Sequence, residues 1–205
     1  MGWYRERLLP RAIDKMCGTG ELQKWRKRTA AGLSGTVVEI GFGSGLNMAA
    51  YPDDVDVVLA VEPAAAGQKL AAQRIAASRI PVRHVGLDGE SIPLDDNSCD
   101  GALCTFTLCT IPDVDRALAE LRRVVKPGGR FHFLEHGLSP DKSVAKWQRR
   151  LDPIEVRVAD GCHLTRDPID LVTRAGFVIE RSGARYTKGP KPWTWLTDGA
   201  AINPS

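Results

Sequence analysis

Residues 37–47 read VVEIGFGSGLN, an apolar and β-branched run that carries one acid, Glu39, and passes into three glycines within five positions, Gly41, Gly43 and Gly45. Branched side chains pack well on a pleated surface, and glycine lets a backbone come close to a ligand. The stretch therefore predicts a buried strand over 36–40 that ends in a ligand-holding loop. Outward from it the same alternation repeats. A short helix over Leu46–Tyr51 is followed by a strand over 56–61, an Ala-rich helix over 63–78 with Pro63 in its first turn, and strands over 82–87 and 100–106. Val114, Leu118, Leu121 and Val125 then lie on one helical stripe, KPGG stops it, and 130–135 reads as a further strand. Strands separated by helices imply parallel pairing through right-handed crossovers, hence a doubly wound three-layer α/β domain.

Composition bounds the rest. A chain of 205 residues, 43% hydrophobic and 26% charged, suits one domain with a single sizeable core. Its net charge of +3 is small, and the Arg and Lys residues of the first 30 positions are interspersed with acids, which suits a solvated helix face better than an anionic partner. No basic stripe or aromatic platform points to nucleic acid. The uncharged run Gly101–Pro112 falls short of the roughly 20 residues a membrane helix requires. With no apolar segment of signal-peptide length near the N-terminus, a cytoplasmic protein without stable membrane insertion is expected. Five cysteines without CxxC spacing predict reduced thiols, and no metal site is expected.

In a doubly wound sheet, ligands sit over the carboxyl ends of the strands, where the 41–45 loop leaves. The nicotinamide and flavin fingerprint GxGxxG would place its third glycine where Leu46 stands. Glu39, two residues ahead of the first glycine, instead points to a cationic ligand without a diphosphate.

EIGFGSG resembles the first motif of the class I S-adenosylmethionine-dependent methyltransferases, AVEP at 60–63 resembles the end of their second strand, and GLDGESIPLDDNSCDGALCTFTL resembles their third and fourth motifs. LRRVVKPGGRFHFLEHG completes the set, and the similarity runs in order from Thr36 to Gly137. The resemblance implies the Rossmann-like methyltransferase fold, a mostly parallel seven-stranded sheet with an antiparallel last strand. The final strand pair of that sheet would fall in 176–202. It implies one domain over 36–205 behind an N-terminal helical cap over 1–35, and S-adenosylmethionine as cofactor. Glu62 would accept hydrogen bonds from both ribose hydroxyls, Asp88 would meet the adenine amino group, and the Gly89 backbone the ring edge. Glu39, Gly41, Phe42, Gly43, Gly45, Asn47, Pro63, Glu90, Thr105 and Phe106 would complete the cofactor site.

At the end of strand four the chain reads CTFTLCT, not the [N/D/S]-P-P-[Y/F] of amide and adenine-amine methyltransferases. Together with EHG at 135–137, WQRRLDPI at 147–154 and DGCHLTRD at 160–167, it is similar to the methyltransferase-like alkyl thiol S-methyltransferases. That resemblance implies a small thiol or hydrogen sulfide as acceptor. These 205 residues carry no stretch like the long apolar anchor of their membrane-associated animal members, so neither membrane association nor a lipophilic substrate range is expected. A looser likeness to bacterial phospholipid N-methyltransferase-like proteins leaves lipid or small-molecule N/O-methylation open, as is a non-catalytic cofactor-binding regulator. Oligomeric state is left open too.

A thiol must become a thiolate before it attacks, and positioning carries much of the rate. His136, leaving strand five, is a candidate base, or a histidine that closes the strand by a backbone hydrogen bond. Asp160 is a candidate to orient His136 or the substrate, or a plain helix cap. His163, Arg166, Cys162 and Trp147 are candidate substrate contacts, with capping or packing as their alternative roles, and Phe106 is a candidate pocket wall. Leu8, Leu9, Ile13 and Met16 are spaced for one apolar helix face that could close over the sulfonium, with Trp25 farther on, or simply pack against the sheet.

Overall fold

The computed structural model describes residues 8–204; the first seven positions of the expected N-terminal cap lie outside the described residues. Seven strands form one sheet in the order β3-β2-β1-β4-β5-β7-β6. They are β1 (Gly35–Ile40), β2 (Val55–Val61), β3 (Val82–Gly86), β4 (Cys99–Thr105), β5 (Val125–His136), β6 (Val178–Tyr186) and β7 (Trp195–Ile202). The four pairings among β1 to β5 are parallel, and β7 runs antiparallel to both β5 and β6. This is the expected doubly wound sheet with an antiparallel last strand.

Helices cover both faces. On one, α4 (Val114–Val124) and α6 (Pro168–Arg174) bury Leu118, Leu121, Leu171 and Val172 against Val38, Cys104, Phe131 and Phe133. On the other lie α2 (Gly20–Ala30), the short 3₁₀ turn Leu46–Ala49 and α3 (Ala65–Ala76), packing Ala30, Met48 and Ala71 over Val37, Val58 and Leu103. The residues of β1 that supply these contacts alternate between faces, as a strand covered on both sides requires. α1 (Leu9–Cys17) precedes α2, α5 (Lys142–Val158) follows β5, and α7 (Lys191–Thr194) joins β6 to β7.

Two expectations change. KPGG ends α4 but does not separate it from the next strand, because β5 already pairs at Val125 with Cys99. The register shifts between Cys99 and Gly101, and Gly128 adopts a φ of 79°, so the Pro-Gly-Gly segment forms an irregularity inside the strand. The apolar stripe of α1 is only partly covered: Leu9 is buried, Ile13 half-exposed and Met16 71% exposed, so its residues do not form one packed face.

Candidate active site

A cavity of about 690 Å³ opens over the carboxyl ends of β1, β2 and β4, where Ile40, Gly41, Val61, Glu62, Thr105 and Phe106 line it. Glu62, at the end of β2, is nearly buried and preoriented: Gly43 N donates to Oε2 at 2.6 Å and Ala64 N to Oε1 at 2.7 Å. Each carboxylate oxygen keeps lone-pair capacity for a further donor. Burial raises its pKa, against the lowering by these two amides.

The glycines divide their tasks. Gly41 has φ 72°, and a Cβ there would lie 2.0 Å from Thr107 Oγ1, so this position has no room for a side chain. Gly43 lines the cavity, whereas Gly45 does not; its missing side chain lets Phe42 and Ala71 pack. Phe42 and Pro63 line the cavity too. On the opposite wall, Asp88 Oδ1 accepts the Glu90 amide at 2.8 Å, and Glu90 Oε1 accepts the Asp113 amide at 2.9 Å. Asp88, Gly89 and Glu90 thus form a tied turn along the cavity.

Glu39 corrects the expectation that its carboxylate faces a ligand. It is 1% exposed and absent from the cavity lining; Oε1 accepts from Asn47 Nδ2 at 2.7 Å, and Oε2 from the Tyr51 hydroxyl. Burial pushes its pKa up to about 7, against the lowering by Tyr51, Asn47 and Arg26. Asn47 does line the cavity, and its Oδ1 accepts from Arg26 Nη1 at 2.7 Å. Arg26 Nη1 also donates to Thr105 Oγ1 at 2.6 Å, and the guanidinium sits 5.3 Å from the Phe106 ring centroid. Sequence reasoning missed Arg26, since a basic residue in KWRKR reads as solvated, yet it is 3% exposed. It also missed Asp14 of α1, whose carboxylate accepts from Ser44 Oγ at 2.5 Å and Arg74 Nη1 at 2.8 Å, tying α1 to the glycine loop. Asp14 lies about 100° or more round the helix from Leu9, Ile13 and Met16, so the apolar spacing carried no signal for it.

The expected acceptor residues divide. Asp160 and Phe106 line the cavity, both non-glycine residues at positive φ, 52° and 56°. Such conformations persist where the surroundings enforce them and concentrate at functional sites. Trp147 is not a pocket wall: it is 56% exposed on α5, with the Arg150 guanidinium 5.4 Å from its ring centroid. His163 and Arg166 stand outside the cavity lining and brace it. His163 Nδ1 lies 3.1 Å from Asp152 Oδ2, while Arg166 Nη1 donates to Leu108 O at 2.5 Å and Ile111 O at 2.8 Å. His136 and Cys162 lie behind the wall, with Nε2 and Sγ 3.0 Å apart, and Cys162 Sγ is 3.7 Å from Cys109 Sγ. The Cys162 hydrogen bond holds the Cys109 thiol well below the usual thiol range, against burial, with His136 acting in the same direction. Burial opposes a charge on His136, but Cys109 outweighs it and raises its pKa to about 9.

The chain is similar to known proteins along most of its length. A methyltransferase domain family matches residues 38–133. Rat thiol S-methyltransferase TMT1B is 35% identical over 171 residues, covering 82% of this chain and 68% of that protein. Human thiol S-methyltransferase TMT1A is 34% identical over 170 residues, covering 80% and 68%. A methyltransferase structure from Bacillus halodurans superposes with a TM-score of 0.71 at 14% identity, covering 91% of this chain and all of that one, which supports the fold.

The chain belongs to the family of class I S-adenosylmethionine-dependent methyltransferases that includes these thiol S-methyltransferases. S-adenosylmethionine is the cofactor, and the cavity fits it. Glu62 offers two held acceptor oxygens suited to a diol, and Arg26 is the one cation among the described lining residues. Acceptors without a bank of cations suit a cofactor that has no phosphate. Among the described residues, no helix is long and apolar enough to cross a membrane.

Proposed function

We propose that the chain transfers a methyl group to the sulfur of a small thiol or hydrogen sulfide. The observation carrying this reading is that similarity to the thiol S-methyltransferases extends over 171 residues, well beyond the 38–133 span common to methyltransferase domains. S-adenosylmethionine supplies an electrophilic methyl group on a sulfonium sulfur. Glu62 holds the ribose diol, Asp88 and the Gly89 backbone meet the adenine edge, and Arg26 with Asn47 receives the amino-acid end. Residues 8–35 act as a cap, of which α1 contributes Leu9, Ile13 and Cys17 to the cavity lining and so helps exclude water.

On the acceptor side, Asp160, Thr110 and Phe106 line the cavity and orient the thiol. Asp160 is assigned the thiol proton or its hydrogen bond, because His136 is turned toward Cys162 behind the wall. Alignment of the sulfur with the methyl group then supplies much of the rate. A panel of small thiols, phenols, amines and phosphatidylethanolamine, assayed for S-adenosylhomocysteine release, tests the reading. Turnover concentrated on thiols is expected; turnover confined to the non-sulfur acceptors would overturn it.

A further inference from the structure

Three segments far apart in sequence bring soft ligand atoms together beneath the acceptor wall. Cys109 follows β4, His136 ends β5, and Cys162 lies in the turn after α5. Their two sulfurs and one ring nitrogen all lie within 4.8 Å of one another, with Cys109 buried and His136 half-buried. We propose that Cys109, Cys162 and His136 form a binding site for a thiophilic d¹⁰ cation of the Zn²⁺ class.

The separations support this ligand chemistry. Zinc–thiolate bonds of about 2.3 Å at a tetrahedral angle place two sulfurs roughly 3.8 Å apart. The Cys109 and Cys162 sulfurs are 3.7 Å apart. The Nε2–Sγ distance of 3.0 Å to Cys162 has to open by about half an ångström, a change small rotations of two side chains provide. Two thiolates balance a divalent charge, which makes the complex neutral in a buried setting, and sulfur with imidazole selects zinc or copper(I) over magnesium or calcium. Three protein ligands leave a fourth position for water or an added small ligand, the count of an open rather than a closed site.

Binding would cross-tie the three segments. Thr110 and Asp160, neighbours of Cys109 and Cys162, line the cavity, so the ion would stiffen its acceptor wall without touching Glu62 or the glycine loop. The inference stands apart from the choice of methyl acceptor, since it rests on the ligand triad alone.

The test is titration of the fully reduced protein with Co²⁺ and Zn²⁺ under a non-chelating reductant. One tightly bound ion per chain is expected, with the sulfur-to-cobalt charge-transfer bands and intense visible absorption of a tetrahedral thiolate site, both displaced by Zn²⁺. C162S, at a partly exposed position, should remove those bands and weaken Zn²⁺ affinity at least a hundredfold, and H136Q should weaken it less. C17S should retain one ion, and far-UV circular dichroism reports that each variant is folded. Absence of stoichiometric binding in the reduced wild type, or unchanged binding in folded C162S, overturns the inference. Octahedral cobalt spectra without sulfur bands would do so too.

Discussion

The Gly43 amide donates to Glu62 Oε2 at 2.6 Å, so the glycine loop after β1 and the end of β2 are fixed to each other through the same carboxylate that faces the cavity. Glu62→Ala removes that tie and, in our assignment, the acceptor for the ribose. Charge-assisted hydrogen bonds contribute about 1.5–3 kcal/mol, so cofactor affinity should fall roughly tenfold to a hundredfold. Isothermal calorimetry with S-adenosylhomocysteine measures it, and an unchanged affinity in folded protein removes Glu62 from the site.

Gly67 of α3 controls the same loop from the far side. A Cβ there would lie 3.0 Å from Gly43 O and 3.1 Å from Gly43 C, so the loop would have to give by a few tenths of an ångström. Gly67→Ala should weaken cofactor binding several-fold. Replacing glycine inside a helix contributes up to about 1 kcal/mol of stability, so the folded state should be no weaker. Binding and urea denaturation on the same protein separate these effects; a variant that loses both has an unsettled helix instead.

Asp160 provides a test of the acceptor wall. Asparagine, like aspartate, tolerates the φ of 52° held there, so Asp160→Asn removes the charge without straining the backbone. Under our assignment kcat should drop at least tenfold while S-adenosylhomocysteine affinity stays constant. Full activity in the variant would take the thiol proton away from Asp160.

His132 makes stability depend on pH. It is 2% exposed, its Nδ1 lies 2.6 Å from Thr29 O, and burial lowers its pKa from 6.5 to about 4, against the raising effect of that carbonyl. Between those values the unfolded chain binds a proton that the folded chain does not. The stabilising contribution is therefore complete above 6.5 and is lost as pH falls toward 4, amounting to about 3 kcal/mol. Glu39 has the opposite sign: its raised pKa makes the folded state hold the extra proton between 4.5 and about 7, so its contribution fades as pH rises through that range. Denaturant midpoints should fall less steeply on acidification in His132→Gln, and more steeply in Glu39→Gln, than in the parent. Parallel curves for all three proteins would show that neither group titrates with folding.

Legibility followed distance along the chain. Gly41 and Gly43 sit in the loop that leaves β1, so local sequence carried their place at the cavity, while Glu62, Asp88 and Gly89, which also line it, were placed by the resemblance to methyltransferase motifs. Arg26 reaches Thr105 and Asn47 from a helix whose Lys24 and Lys27 are exposed, and no local pattern separates a buried arginine from a solvated basic residue. Trp147 failed for the converse reason: an aromatic side chain reads as apolar, but on α5 it lies outside with Arg150 against its ring. The Cys109, His136 and Cys162 grouping leaves no trace in linear spacing, since three separate turns create it. KPGG misled by composition, because an irregular strand tolerates the residues that ordinarily end one.

The placement of β7 between β5 and β6 bears on how the chain is made. Until residues 195–202 have left the ribosome, the outer edge of β5 has no partner and stands open to pairing with another chain. Gly199 then lies against the Phe133 ring, where a Cβ would come within 2.3 Å, and Asn203 Nδ2 donates to Arg122 O and Val125 O at 3.0 and 2.7 Å. These contacts span more than 60 residues, so the nascent protein completes its sheet late, and slow translation of this last stretch would lengthen the period in which aggregation competes with folding.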